Sequence, residues 1–376
     1  MRRIMAKLLL HDGTAYTGDA FGAAVDSEGE VVFTTNMVGY PESLTDPSFR
    51  GQILVFTFPL VGNYGVPSEE RDARGFSALL ESEAVHVRGV VVAQESRFRS
   101  HQAAVSSLHN WLEHHGVPGI TGVDTRAITK RLREHGVMLG RIAQSHDAAV
   151  GMIADPNLQN LVAEVSCAEP ITYDPPGDLP DAPTILAYDC GMKRNILRSL
   201  LKRGVRVVRV PWDYDIDKHV GAIDGVFISN GPGDPKQCVP TIRSIKRAIE
   251  RDIPTFGICL GNQLMALALG SDTFKLKYGH RGANQPCLLH ECRDGVSTPT
   301  KRCLITSQNH GFAVSDDLPK GWSVWFRNAN DGTVEGIRHE SDRFRAVQFH
   351  PEASPGPEDA AFLFDEFVAL LKASKA

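Results

Sequence analysis

The chain has 376 residues, enough for about two domains with cores of their own, and its 42% hydrophobic and 23% charged residues are ordinary for a soluble globular protein. Acidic side chains outnumber basic ones by 45 to 40, so there is no basic excess to release counterions, and neither nucleic acid nor an anionic membrane surface is expected as a partner. No run approaches the roughly 20 apolar residues of a membrane span, and "MRRIMAKLLLHDG" lacks the long apolar region of a signal peptide.

In chain order, the first half is strand-rich: "AKLLLHDGTAYTG", "EVVFTTNMVGY", "GQILVFTF" and "VRGVVVAQE" are β-branched runs separated by Gly, Asp and Pro. Two helices are predicted after them, around "HQAAVSSLHNWLEHHG" and "DTRAITKRLREHG"; the second begins at an Asp/Thr cap signal and stops at Gly136. Composition changes at "AEPITYDPPGDLPDAP", where five prolines prevent a regular helix or a central strand. This segment is read as a linker, 171–183, between domains at 1–170 and 184–376. Beyond it, strand and helix alternate: "TILAYD", "MKRNILRSLLKRG", "VRVVRV", "GVFISNGPGDP", "TIRSIKRAIERD", then "IPTFGI" followed by a helix. Met192, Ile196 and Leu200, with Leu197 and Leu201, form one helical stripe ending at Gly204. Such alternation predicts right-handed β-α-β units and a largely parallel, doubly wound sheet covered on both faces. The fold class is therefore α/β: a β-rich amino-terminal domain, then a doubly wound one. Ligands in such sheets bind beyond the carboxyl ends of the strands, where Cys259 and the "NGPGDP" loop both fall, so these two are expected to be neighbours.

Gly257, Cys259 and Gly261 form G-x-C-x-G, the cysteine counterpart of a nucleophile elbow. The glycines permit a tight turn and close approach of helix to strand. A helix N-terminus with a cation nearby can bring a thiol from a pKa of about 8.5 to roughly 3.5–7.5, and the Leu260 amide points where an oxyanion would form. A buried structural cysteine is the alternative. A thiolate nucleophile needs a proton carrier and a group that orients it. His350 in "AVQFHPEASPGPEDA" ends an apolar run, and Glu352 two residues on can point the same way. The "SNGPGDP" loop lacks a Walker lysine and serine, so it suits a carbonyl oxygen or small polar substrate better than phosphate. All seven cysteines lie from Cys167 onward without a CxxC pair, which fits a reducing, cytoplasmic setting. Cys287, His290, Cys292 and Cys303 are the tightest metal-like cluster, but their spacing is not a common zinc pattern; they are read as strand and loop positions, and no metal is assigned.

With "SNGPGDP", "GICLGNQ" and "FHPEASPGP" in order, the second half resembles a class I (triad) glutamine amidotransferase domain. The first half is similar to the amino-terminal domain of the carbamoyl-phosphate synthase small subunit, through "GEVVFTTNMVGYPESLTDPSFRGQILVFTFPLVGNYG" and "GVDTRAITKRLREHG". "YDCGMKRNILRSLLKRG" and "TSQNHGFAV" extend the likeness over essentially the whole chain. The resemblance implies that Cys259 attacks the carboxamide of L-glutamine, that His350 is base and acid oriented by Glu352, and that a thioester is hydrolysed to glutamate with release of ammonia. It implies Leu260 and Gly233 at the oxyanion, and glutamine held by Ser48 (reaching across from the first domain), Gly231, Gly233, Leu260, Gln263, Asn309, Gly311 and Phe312. It also implies a large synthetase subunit, docked on the first domain and fed with ammonia through a tunnel. That partner would carry the ATP and Mg and make carbamoyl phosphate from bicarbonate for pyrimidines and arginine, and such heterodimers can associate further. No cofactor is expected in this chain. Two alternatives stay open: an amidotransferase serving another ammonia acceptor, and a catalytically idle regulatory subunit. Asn262 departs from the family, where many members have His; it is not a triad position, so local hydrogen bonding and not activity is expected to change.

Overall fold

A computed structural model describes residues 5–144, 151–177, 179–293 and 296–374, and the chain divides into two compact units, Met1–Leu161 and Val162–Ala376. In the first, strands close into a barrel in the order Met5–Leu10, Met138–Ala143, Ser27–Thr34, Gln52–Phe56, Gly89–Val91, Pro118–Thr121, Ala15–Gly22. Closure leaves no free edge, which is how a strand-rich unit avoids exposing unpaired backbone. Four successive strands from Ser27–Thr34 to Pro118–Thr121 run parallel; Gln52–Phe56 and Gly89–Val91 are buried at every residue, as strands covered on both faces must be.

The helix Thr125–His135 starts where expected: Asp124 caps it by accepting from the Ala127 amide at 2.9 Å, and Gly136 closes it with φ +95°. The other predicted helix is shorter than its sequence pattern. Ala104–Ser106 is a strand paired with Val66–Pro67, and the helix runs only over Leu108–His114. Ser107 sets that start, because its side chain accepts from the Asn110 amide at 3.2 Å and takes the cap position.

The second unit is built on a ten-stranded sheet. Five neighbours are parallel: Arg206–Pro211, Thr184–Asp189, Gly225–Ile228, Thr255–Ile258 and Phe344–Val347. Helices cover both faces of this half. Val226 and Ile228 pack in one cluster with Ile245 of the helix Val239–Glu250 and Leu264 of the helix Leu260–Ala268. The alternate residue Phe227 stacks toward Phe364 and Phe367 of the helix Phe362–Ala373. The predicted stripe of the helix Arg194–Lys202 is buried at Ile196, Leu197, Leu200 and Leu201.

The rest of the sheet departs from the doubly wound expectation. Val334–His339, Val296–Val314, Thr273–Arg293 and Trp322–Asn328 are antiparallel, dominated by a long hairpin of the middle two. Ile171–Tyr173, within the proline-rich segment, adds an antiparallel edge strand against Arg206–Pro211. Prolines permit this because an edge strand leaves one row of amides unpaired. No helix among the described residues is long and apolar enough to cross a membrane.

Candidate active site

Cys259 sits where the strand Thr255–Ile258 turns into the helix Leu260–Ala268, at φ +54° and ψ −102°. A positive φ is costly for a residue with a Cβ and persists only where the surroundings impose it. The neighbours show how: a Cβ at Gly257 would stand 2.7 Å from the Gly261 carbonyl oxygen, and one at Gly261 would stand 2.4 Å from that of Ile228. Only glycines let helix and sheet approach this closely around the cysteine. Leu260 is the first residue of that helix, so its amide has no acceptor within the helix and is free to face an anion.

The "SNGPGDP" loop leaves the adjacent parallel strand Gly225–Ile228 and does lie beside the cysteine turn. A Cβ at Gly231 would fall 2.0 Å from the Cys190 carbonyl oxygen and 2.8 Å from the Leu260 side chain; Gly233 has φ +83°. Ser229 and Asn230 are fully buried; Ser229 Oγ accepts from the Cys190 amide at 2.9 Å and Asn230 Oδ1 from the Lys193 amide at 3.1 Å.

Cys259 is 1% exposed, yet the surroundings of its sulfur are polar. It lies 3.7 Å from the Asn309 carbonyl oxygen and 3.7 Å from the Gln348 amide nitrogen. His350 is held by backbone pairing with Ser307, and its Nδ1 meets Glu352 Oε1 at 2.6 Å. The opposite nitrogen, Nε2, is buried without a hydrogen-bond partner of its own. Burial opposes protonation of His350, but the Glu352 carboxylate and Cys259 outweigh it and push the imidazole up to about 10. At neutral pH the ring is therefore an imidazolium, ready to give a proton.

Sequence reasoning missed the group that makes this possible. Lys193, 2% exposed, places Nζ 3.3 Å from Glu352 Oε1 and also donates to the Ala353 carbonyl oxygen. Burial works against the Glu352 charge, and the Lys193 ammonium and His350 hold its carboxyl below the usual carboxylate range. Asn195 donates to the Glu352 backbone oxygen. A signal was present: Lys193 stands at the N-cap of the helix Arg194–Lys202, where a cation opposes the helix dipole. A lysine in that place has a partner elsewhere.

Of the remaining sequence-predicted residues, Gln263 donates to the Phe312 carbonyl oxygen at 2.9 Å and to Gln348 Oε1 at 3.2 Å. Asn309, Gly311 and Phe312 follow one another on the strand Val296–Val314, whose Asn309 carbonyl faces the sulfur. Asn262 is buried and donates to Gln348 Oε1 at 3.3 Å. Ser48 belongs to the first unit, on the short helix Pro47–Phe49, where its amide bonds Asp46 at 2.9 Å. Cys287, His290 and Cys303 lie on the hairpin strands and form no cluster: Cys287 faces Thr306 and Gln308, and His290 Nδ1 meets Ser297 Oγ at 3.2 Å. The Cys292 side chain lies outside the described residues.

Two family models match the chain: carbamoyl-phosphate synthase small chain, CPSase domain, over residues 8–142, and glutamine amidotransferase class-I over residues 186–370. The arginine-specific small chain of carbamoyl phosphate synthase from Aspergillus clavatus is 48% identical over 99% of this chain and 80% of its own length. The multifunctional protein CAD of Squalus acanthias is 50% identical over 97% of this chain, which spans only 16% of that protein. The multifunctional protein pyr-3 of Neurospora crassa is 50% identical over 96% of this chain, which spans 21% of it. With an elbow cysteine, a partnered histidine and near-complete alignment to a small chain of similar length, the protein belongs to the carbamoyl-phosphate synthase small chain family.

Proposed function

We propose that the chain is the glutaminase subunit of a glutamine-hydrolysing carbamoyl-phosphate synthase. The observation that carries this reading is the buried relay Lys193–Glu352–His350 with its last free nitrogen beside Cys259. The Cys259 thiolate attacks the side-chain carbonyl carbon of glutamine, and the oxygen takes the negative charge against the amides of Leu260 and Gly233. His350 gives its Nε2 proton to the nitrogen as the carbon–nitrogen bond breaks, so ammonia leaves and a glutamyl thioester remains. The neutral imidazole then takes a proton from water, whose hydroxyl attacks the thioester; glutamate departs, and thiolate and imidazolium are restored. Glu352 stabilises the imidazolium and fixes which nitrogen faces the sulfur. Gly231, Gln263, Asn309, Gly311 and Phe312 bind glutamine, together with Ser48 of the first unit.

Ammonia passes to a large synthetase partner, as a separate chain or as a continuation like that of the multifunctional relatives. That partner supplies ATP, Mg and bicarbonate chemistry for pyrimidine and arginine precursors. The six described cysteines are all free thiols, which supports a cytoplasmic setting. Glutamate release by the wild type and by Cys259→Ala, with and without a large subunit, tests the proposal. Loss of turnover by at least about 10³-fold in the variant is expected; equal turnover in the two would end it.

A further inference from the structure

Three buried side chains that this chemistry does not use converge elsewhere in the second unit. His280, His310 and Glu335 come from three strands, and one potential ligand atom of each lies within 4.8 Å of the others. The outer nitrogen of each ring is already occupied: His280 Nε2 meets Asp331 Oδ2 at 2.8 Å, and His310 Nδ1 meets the Phe312 carbonyl oxygen at 2.8 Å. The inner nitrogens, His280 Nδ1 and His310 Nε2, lie 3.2 and 3.9 Å from Glu335 Oε1. The rings meet at 89° with centroids 4.9 Å apart. Two imidazoles sharing one tetrahedral zinc have ring centres about 5 Å apart and ligand atoms about 3.3 Å apart.

The pocket gathers acceptor atoms. A carbonyl only accepts, so His310 Nδ1 carries its hydrogen, and the neutral ring then turns the lone pair of Nε2 into the pocket. That lone pair faces Gln308 Oε1 at 3.3 Å. In this orientation the Gln308 nitrogen meets Cys287 Sγ and Thr306 Oγ1, each at 3.3 Å, and Thr306 spends its own hydrogen on the Gln285 carbonyl at 2.8 Å. Glu335 Oε1 accepts from Asn328 at 3.1 Å, while Oε2 is buried with no partner. Asn328 nitrogen also lies 3.4 Å from His280 Nδ1.

We propose that His280, His310 and Glu335 form a site for one divalent transition ion of the zinc type, with Gln308 Oε1 or solvent as fourth ligand. Asp331 and the Phe312 carbonyl are then the outer partners that orient metal-bound imidazoles. The ion would tie together three strands, one of which, Val296–Val314, reaches the reactive sulfur. Asn309, next to His310, turns its carbonyl to Cys259; Phe312 accepts from both His310 and Gln263; and the Glu335 carbonyl takes the Gln348 amide at 2.8 Å. The role is positional, and no step of glutamine hydrolysis passes through the ion.

Metal analysis of the untagged full chain, purified without added metal and desalted, tests the site directly. About one zinc-type ion per chain is expected. After removal with a chelator, Co²⁺ should give the visible absorption of a tetrahedral nitrogen/oxygen site, and Zn²⁺ should abolish it. Glu335→Gln and His280→Gln should lose at least about 10-fold in affinity. A folded wild-type chain that retains no ion and gives no Co²⁺ spectrum would overturn the proposal, leaving a proton as the cation in the pocket. Equal metal binding by wild type and both variants would overturn it as well, as adventitious metal.

Discussion

Two buried histidine–glutamate pairs in the second unit use the same residue types and differ in what their surroundings do to the carboxyl. Glu352 and Glu335 are both sealed from solvent, and each keeps one carboxylate oxygen without a partner. Burial raises the cost of charge in both. Beside Glu352, the Lys193 ammonium at 3.3 Å reverses that cost, its carboxyl falls below the usual range, and His350 is pushed up to about 10. Glu335 pairs with His280 at 3.2 Å: burial pushes its carboxyl up, with His280 opposing. Burial opposes protonation of His280, but Glu335 and Asp331 outweigh it and raise the imidazole, as Glu352 does for His350; the neighbouring His310 is driven well down. In both pairs the carboxylate favours the imidazolium, and what differs is the carboxyl, which a third charge, the Lys193 ammonium, holds low only in the first.

Glu352→Gln removes the anion but keeps the shape, so His350 loses most of its support as an imidazolium; kcat/KM for glutamine should fall by about 10²–10⁴ with KM little changed. A fall confined to KM would show that Glu352 acts on glutamine binding and not on the ring. Lys193→Met asks whether the third charge decides. Without the ammonium, the Glu352 carboxyl is no longer held down and protonates at higher pH. The acid limb of kcat/KM should then move upward in pH, and activity near neutrality should drop by about 10- to 10²-fold. An acid limb that stays in place would contradict the role given to Lys193.

Much of this arrangement was legible in the sequence where its cause is local. Gly257 announced the cysteine turn because its steric need is set by Gly261, four positions away, whereas the need at Gly261 comes from Ile228 on the neighbouring strand. His350 and Glu352 are two residues apart, and the Asp124 cap and Gly136 stop bound one helix by nearest-neighbour chemistry. What escaped depends on pairing between distant segments. Barrel closure joins Met5–Leu10 to Met138–Ala143, and nothing local to either strand announces the other. The hairpin Thr273–Arg293 with Val296–Val314 is broken by register shifts and carries Gly282, Pro286 and Pro299, so it lacks an uninterrupted alternation. Lys193 reaches Glu352 across 159 positions of chain, and His280, His310 and Glu335 meet only once three strands are in register.

In this mechanism Cys259 becomes acylated by glutamine. Rapid quenching of the full chain during turnover with labelled glutamine, then proteolysis and mass analysis, tests this most directly. A glutamyl thioester on the peptide containing Cys259, accumulating and decaying at rates that match glutamate release, is the result this account predicts. Steady glutamate production with no acyl group on Cys259, or with the acyl group on another residue, would contradict it.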